Sequence, residues 1–251
     1  MRQIFIISFT DSIDLHPGLR MNFDLKRVIP IRLGSSYCYY LDLFNGGILI
    51  DAGNHNKHHH LQSVLLAHEH DIRDIRYIIL THTHHDHVGS LADIKKIADA
   101  KVFVHKAEAA FLKKGRTPLP KGTLFWTKMM VRIGTLARVG SYPVVEPDFE
   151  ITDELRLGEF DIDLKIISTP GHTAGSMSVI LNDDIAFVGD TMFNIRHETV
   201  YPPFANNQAE LLSSWNRLLA TPCRLFYPGH GRTIKREKLE HSYQKALDKI
   251  K

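Results

Sequence analysis

Nine consecutive residues, Thr81-His82-Thr83-His84-His85-Asp86-His87-Val88-Gly89, constrain this chain more than any other stretch. The apolar run Tyr77-Ile78-Ile79-Leu80 before them has the length and composition of a buried strand. Gly89-Ser90-Leu91-Ala92-Asp93-Ile94-Lys95-Lys96-Ile97 after them spaces its apolar residues as an amphipathic helix does. His82, His84, Asp86 and His87 are therefore expected on a turn at a strand end, where a rigid scaffold presents chemistry. Four cation-binding side chains within six positions have few purely structural explanations. Buried imidazoles and a carboxylate leave unsatisfied polar atoms unless a metal or dense hydrogen bonding engages them. The alternative is a solvated loop that happens to be rich in histidine.

Size and charge narrow the class. At 251 residues the chain can bury a large core, and α/β folds of this length occur as one domain. A net charge of +3 is too small to imply a nucleic-acid partner. Cys38 and Cys223 cannot make a disulfide framework, and they are too far apart for a CxxC site. That usage fits a reducing compartment. The apolar Ile4-Phe5-Ile6-Ile7 soon meets Asp11 and Asp14 with no small-residue cleavage site, so a signal peptide is not expected. No apolar run approaches membrane-spanning length. A cytoplasmic protein without stable membrane insertion is the expectation.

The first part of the chain reads as strands. Tyr37 to Phe44 and Ile48 to Ile50 flank Asn45-Gly46-Gly47, a hairpin signal. Asp51 ends the second of these strands, and on its own it reads slightly better as solvated than as the orienting partner of a metal-bound histidine. The histidines of Asn54-His55-Asn56-Lys57-His58-His59-His60 read as solvated, near the start of a helix carrying Leu61, Val64 and Leu65. Val102-Phe103-Val104-His105 is a further strand, with His105 at its end and nothing nearby in sequence to complete a site.

From Ala109 to Val145 there is no Asp or Glu, while Lys113, Lys114, Arg116, Lys121, Lys128, Arg132 and Arg138 alternate with aromatic and aliphatic residues. Pro118, Pro120, Gly115 and Gly122 break the stretch near its middle. It reads as an insertion at about 109–145 in an otherwise single domain. A cationic, apolar-lined lid suits a small substrate with an acyl or anionic group. A packed decoration, a homodimer contact and a membrane-surface contact are the alternatives.

Beyond it, Ile151 to Leu157, Ile162 to Ser168, Met177 to Leu181 and Ile185 to Val188 read as strands. Three polar candidates stand at their ends: His172 in Thr169-Pro170-Gly171-His172-Thr173, Asp190 in Gly189-Asp190-Thr191, and His230 in Pro228-Gly229-His230-Gly231. Each is weak alone, but successive strand ends are where α/β architectures gather binding groups. Glu210 to Leu219 and Glu237 to Ile250 read as outer amphipathic helices.

These segments, in this order, resemble the metallo-β-lactamase superfamily, which includes glyoxalase II enzymes, N-acyl-homoserine lactonases and tRNA-processing phosphodiesterases. The motifs carrying the likeness are His82-Thr83-His84-His85-Asp86-His87, Thr169 to Ser176, Gly189-Asp190-Thr191-Met192-Phe193 and Pro228-Gly229-His230-Gly231, with Leu49-Ile50-Asp51-Ala52-Gly53 before them. The likeness runs from about Tyr37 to Arg232. It implies an αββα four-layer sandwich of two mixed β-sheets and a dinuclear metal centre. His82, His84 and His172 would hold one ion, and Asp86, His87 and His230 the other. Asp190 would bridge them, and Asp51 would support a ligand histidine from behind. A nitrogen and carboxylate donor set without thiolate suits two zinc ions, with iron or manganese as alternatives. Asp86 and Asp190 are the expected catalytic residues, with Asp86 as proton shuttle.

Substrate is less constrained. Gly189-Asp190-Thr191-Met192-Phe193 resembles the glyoxalase II form, but little chain follows His230 to supply the helical substrate-binding region of those enzymes. Length and insertion resemble the lactonases, which place a tyrosine where this chain has Phe193; Tyr201 and His197 are the candidate replacements. Hydrolysis of an ester, lactone or thioester is expected, with a phosphodiesterase as alternative. A di-iron redox protein would have a glutamate at His84 and a flavin domain. A noncatalytic binding module would have lost ligands.

Overall fold

A computed structural model describes residues 5–6, 24–136, 139–158, 162–195 and 199–248. The first sheet takes β2 (Val28–Arg32), β3 (Tyr37–Leu43), β4 (Gly46–Ile50), β5 (Ile75–Ile79), β6 (Lys101–His105) and β7 (Phe149–Ile151) in that spatial order. β2, β3 and β4 pair antiparallel, and β4 through β7 run parallel. The parallel steps need crossovers. These are α1 (His58–Ala67) between β4 and β5, and α2 (His85–Val88) with α3 (Leu91–Ala98) between β5 and β6. After β6 come α4 (Lys106–Lys114) and α5 (Phe125–Leu136).

The second sheet begins with β1 (Phe5–Ile6), the only described part of the N-terminal apolar run. Next to it lie β8 (Glu154–Leu157), β9 (Leu164–Ser168), β10 (Met177–Leu181), β11 (Ile185–Asn194), β12 (Leu225–Gly231) and β13 (Ile234–Lys235). α6 (Gln208–Leu219) and α7 (Arg236–Leu247) follow β11 and β13 respectively. Asn207 starts α6 by accepting hydrogen bonds from the amides of Ala209 and Glu210.

Alternation along the strands decides the layering. Ile48 and Ile50 of β4 enter the core between the sheets, meeting Val179 and Leu181 of β10. Leu49 turns outward into a second core beneath α1, α3 and α4. Ile180 turns outward on the other side, under Trp215 and Leu211 of α6. Both faces of both sheets are thus apolar, which explains why these strands read as continuous hydrophobic runs. The arrangement is the αββα sandwich of two mixed sheets.

Several local expectations are corrected. The hairpin turn is Phe44-Asn45, with Leu43 paired to Gly46, so both glycines belong to β4. Ile151 to Leu157 is not one strand. The chain ends β7 at Ile151, turns through Thr152-Asp153 and enters the other sheet as β8. Apolar alternation is the same on either side of that break, so nothing local marks the change of sheet. β11 does not stop at Val188 but continues to Asn194, bulging on either side of Gly189. His230 likewise lies within β12 and not in a turn.

The stretch from 109 to 145 is not uniform. Ala109, Leu112, Tyr142 and Val145 are buried in the core under the first sheet. Only the part around α5 stands out from it.

Candidate metal centre

The first sheet delivers its polar groups at the carboxyl ends of β4 and β5, where parallel strands open a crevice. After β5 the chain runs through Thr81 to His84 and then tightens into α2, which carries Asp86 and His87. Backbone bonds fix this loop: Ala52 N donates to His87 O at 2.7 Å and Gly89 N to Gly53 O at 2.7 Å. Across the interface, Met177 N donates to Thr81 O at 2.8 Å, tying the loop to the second sheet. That sheet contributes His172 from the turn after β9, Asp190 from β11 and His230 from β12.

All seven side chains meet. His82, His84, His172 and Asp190 offer ligand atoms within 4.8 Å of one another, and so do Asp86, His87 and His230. Asp190 faces both groups. Its Oδ2 lies 3.4 Å from His172 Nε2 and 3.9 Å from His82 Nε2. Its Oδ1 lies 3.3 Å from His87 Nε2 and 3.4 Å from His230 Nε2. Asp86 Oδ2 is 3.3 Å from His230 Nε2, and His84 Nδ1 is 3.0 Å from His172 Nε2.

Close approach here depends on glycine at two positions. A Cβ on Gly229 would stand 2.6 Å from both Asp190 Oδ1 and His87 Cε1. Gly189 has φ +49°, and a Cβ there would meet Thr81 Oγ1 at 2.4 Å. Substitution at either would push the two sheets apart at the cluster.

The far nitrogens of His87, His172 and His230 are held by the protein. Asp51 is buried and accepts from Thr81 N and Thr81 Oγ1 at 2.8 Å each, while its Oδ2 lies 2.8 Å from His87 Nδ1. The reading of Asp51 as solvated is therefore wrong, because the loop after β5 folds back over it. Phe204 O lies 2.9 Å from His172 Nδ1, and Ser35 O lies 3.0 Å from His230 Nδ1. Such contacts set which ring nitrogen turns inward.

The inward atoms test whether cations fit. His82 Nε2, His87 Nε2 and Asp190 Oδ1 are buried without a hydrogen-bond partner. Buried polar atoms left so cost stability unless something else engages them. Imidazole and carboxylate donors in this number match divalent transition metals. Burial, with the neighbouring imidazoles, holds His82 well below the usual histidine range and pushes His84 down to about 3. Burial also lowers His172. All three thus keep the neutral form that offers a lone pair. At His230 burial opposes protonation, but the Asp190 and Asp86 carboxylates outweigh it and raise the ring to about 9. Burial would raise Asp190 and Asp86, yet the surrounding imidazoles hold both below the usual carboxylate range.

Some partners carried no signal in the sequence. The Ser35 hydroxyl, which donates to Asn54 Oδ1 at 2.8 Å, lies 3.4 Å from Asp86 Oδ2, and Ser36 donates to Asp86 O. Glu108 is buried and accepts from Thr83 N at 3.1 Å and from the Thr83 hydroxyl, while Thr117 Oγ1 donates to Thr83 O at 2.6 Å. This network pins Thr83 between His82 and His84, although Glu108 looks like an ordinary first-turn helix acid.

Other candidates lie elsewhere. His105 caps α4, accepting from Ala107 N at 3.1 Å. His58 sits 3.2 Å from Asp93 while His59 and His60 are exposed, and no ligand group among the described residues includes them. The Phe193 ring stacks on His230 at 4.6 Å. Tyr201 packs edge-on against Trp215 in the layer outside the second sheet, so it does not stand in for a tyrosine at Phe193. His197 lies outside the described residues.

The family profile described as the metallo-beta-lactamase superfamily matches residues 31–230. A probable metallo-hydrolase of Bacillus subtilis is 30% identical over 61% of this chain and 67% of its own length. A hydroxyacylglutathione hydrolase of Bartonella quintana is 30% identical over 62% of this chain, which spans about half (49%) of that protein. A metallo-beta-lactamase structure from Cronobacter sakazakii superposes with a TM-score of 0.69 at 20% identity, covering 90% of each chain.

Proposed function

This chain belongs to the metallo-β-lactamase superfamily of metallohydrolases, and from that premise we propose that it cleaves an acyl bond (an ester, lactone or thioester) with two divalent cations as cofactor. The observation that carries the reading is Asp190, one carboxylate oxygen toward His82 and His172 and the other toward His87 and His230. Such a carboxylate is built to sit between two cations. The likeness to a hydroxyacylglutathione hydrolase and to a glyoxylase of Dictyostelium discoideum favours the thioester within this class.

In this reading His82, His84 and His172 would hold one ion and Asp86, His87 and His230 the other, with Asp190 available to both. When bound, the pair supplies Lewis acidity, lowering the pKa of water to about 7 from above 15 and polarising a carbonyl oxygen. Zinc suits the donor set best, ahead of iron and manganese. The chain does the rest. Asp51, Phe204 O and Ser35 O hold three rings in one orientation, so the inward nitrogens need no rearrangement. Asp86, only partly buried at the edge of the cluster, is the group assigned to move a proton there. No serine or cysteine nucleophile is required; burial raises the thiols of Cys38 and Cys223 and keeps them protonated. Phe193 cannot donate a hydrogen bond, so any donor to the substrate carbonyl comes from elsewhere.

Metal analysis followed by a panel of lactones, thioesters, esters and bis-p-nitrophenyl phosphate tests the reading. Near two ions per chain with acyl hydrolysis supports it. Bound flavin, phosphodiester cleavage alone, or inactivity with every metal overturns it.

A further inference from the structure

α5 reverses the ordinary placement of side chains on a surface helix. Such helices turn their large apolar residues inward. Here the inward positions are Thr127, buried, and Val131 and Gly134, each half-buried, the latter beside Leu119. Phe125 is 86% exposed, Ile133 59%, Met129 54%, Met130 52% and Trp126 44%. Five large apolar side chains on one short helix, all this open to water, mark a surface that meets another phase or molecule.

The charges around it select the occupant. Lys121, Lys128 and Arg132 are exposed, and among the described residues none of them pairs with a carboxylate. The sequence carries no acid from Ala109 to Val145. A second copy docked face to face about a two-fold axis would bring Lys128 and Arg132 toward their own counterparts, with no acid on the segment to offset them. Aromatic, thioether and branched aliphatic groups set among cations fit an anionic lipid surface instead. The helix lies on such a surface and does not cross it, since no described helix is long and apolar enough to span a membrane.

We propose that the exposed face of α5 docks this protein on anionic bilayers. Its base also joins the metal cluster. Thr123 N donates to Pro203 O at 2.9 Å and Ala205 N to Lys121 O at 2.8 Å. Between them Phe204 O sits 2.9 Å from His172 Nδ1. The segment leading into α5 is thus tied to the stretch whose carbonyl holds His172.

The test is flotation of the full chain with vesicles of phosphatidylcholine alone or mixed with phosphatidylglycerol, together with tryptophan emission. The chain has two tryptophans. Trp215 is fully buried, so a blue shift on adding vesicles reports Trp126. Flotation with the anionic vesicles only, lost on raising salt, is expected. Replacing Lys128 and Arg132 with Ala should weaken partitioning on the order of tenfold or more. Phe125→Ser with Met129→Ser and Ile133→Ser should abolish it while hydrolysis of a small water-soluble ester is unchanged. Absence of flotation, or flotation indifferent to these substitutions, overturns the proposal. So does a Trp126 shift that follows protein concentration without lipid, which would assign the face to a second copy. Because binding is read without turnover, failure here leaves the hydrolase reading intact, and the converse holds.

Discussion

The strand-end cluster buries imidazoles and carboxylates that water would solvate, whereas α5 exposes phenyl, indole and thioether groups that water rejects. Both placements oppose the energetics that shape the rest of the molecule, where Ile48, Ile50, Val179 and Phe187 pack between the sheets. They differ in what supports them. The cluster is over-determined: Asp51, Thr81, Ser35 and the Phe204 carbonyl hold its rings, and glycines make room for it. The large side chains of α5 have no comparable mould around them; residues 121–123 and small inward residues fasten the helix itself. A rigid site suits cations that demand fixed donors, while a loosely committed apolar face suits a partner without fixed shape.

That contrast can be broken most decisively at Asp190. Asp190→Ala removes the one group that faces both donor sets, and kcat should fall by several orders of magnitude with loss of bound metal. Near-full activity with full metal content would dissolve the cluster as an active site. Chelation is the next largest lever. Stripping the cations should abolish activity and lower Tm, since ions bound only by the folded state contribute about 4 kcal/mol when present at about a thousand times their Kd. Calorimetry before and after re-addition of zinc checks this, and an unchanged Tm counts against a preformed site.

A smaller effect sharpens the role of the supports. Asp51→Asn leaves the inward donors in place but weakens the hold on His87, so metal affinity should drop roughly 10- to 100-fold in a chelator competition. Loss of folding instead would make Asp51 a purely structural residue. The smallest effect belongs to the other region. Ile133→Ser should change stability by no more than about 0.5 kcal/mol in denaturant titration, because the side chain is already exposed. A cost of several kcal/mol would mean that the face is covered in solution.

The sequence by itself determined a good deal. Density of ligand-type residues at 82–87, after an apolar strand and before a helix, is a local property, and it pointed to the cation-binding turn. The Pro-Gly and Gly-Asp contexts of His172, His230 and Asp190 gave three weaker signals that gained weight only as a set. The middle of each sheet was legible because both faces of β4, β10 and β11 are buried, which leaves continuous apolar runs.

Tertiary structure alone decided the rest, for reasons that are not local. Asp51 is a strand-end acid until β4 and β5 pair and Thr81 folds over it. Ser35 O and Phe204 O act through the backbone, which every residue carries, so no side-chain pattern announces them. The step from β7 to β8 changes sheet without changing alternation. α5 is recognisable in sequence as apolar and cationic, but which of its faces meets the protein depends on Gly122 and Thr123 pairing with residues 203–204, far along the chain. Composition and spacing report what a segment can bury; only the assembled fold reports what it is left to expose.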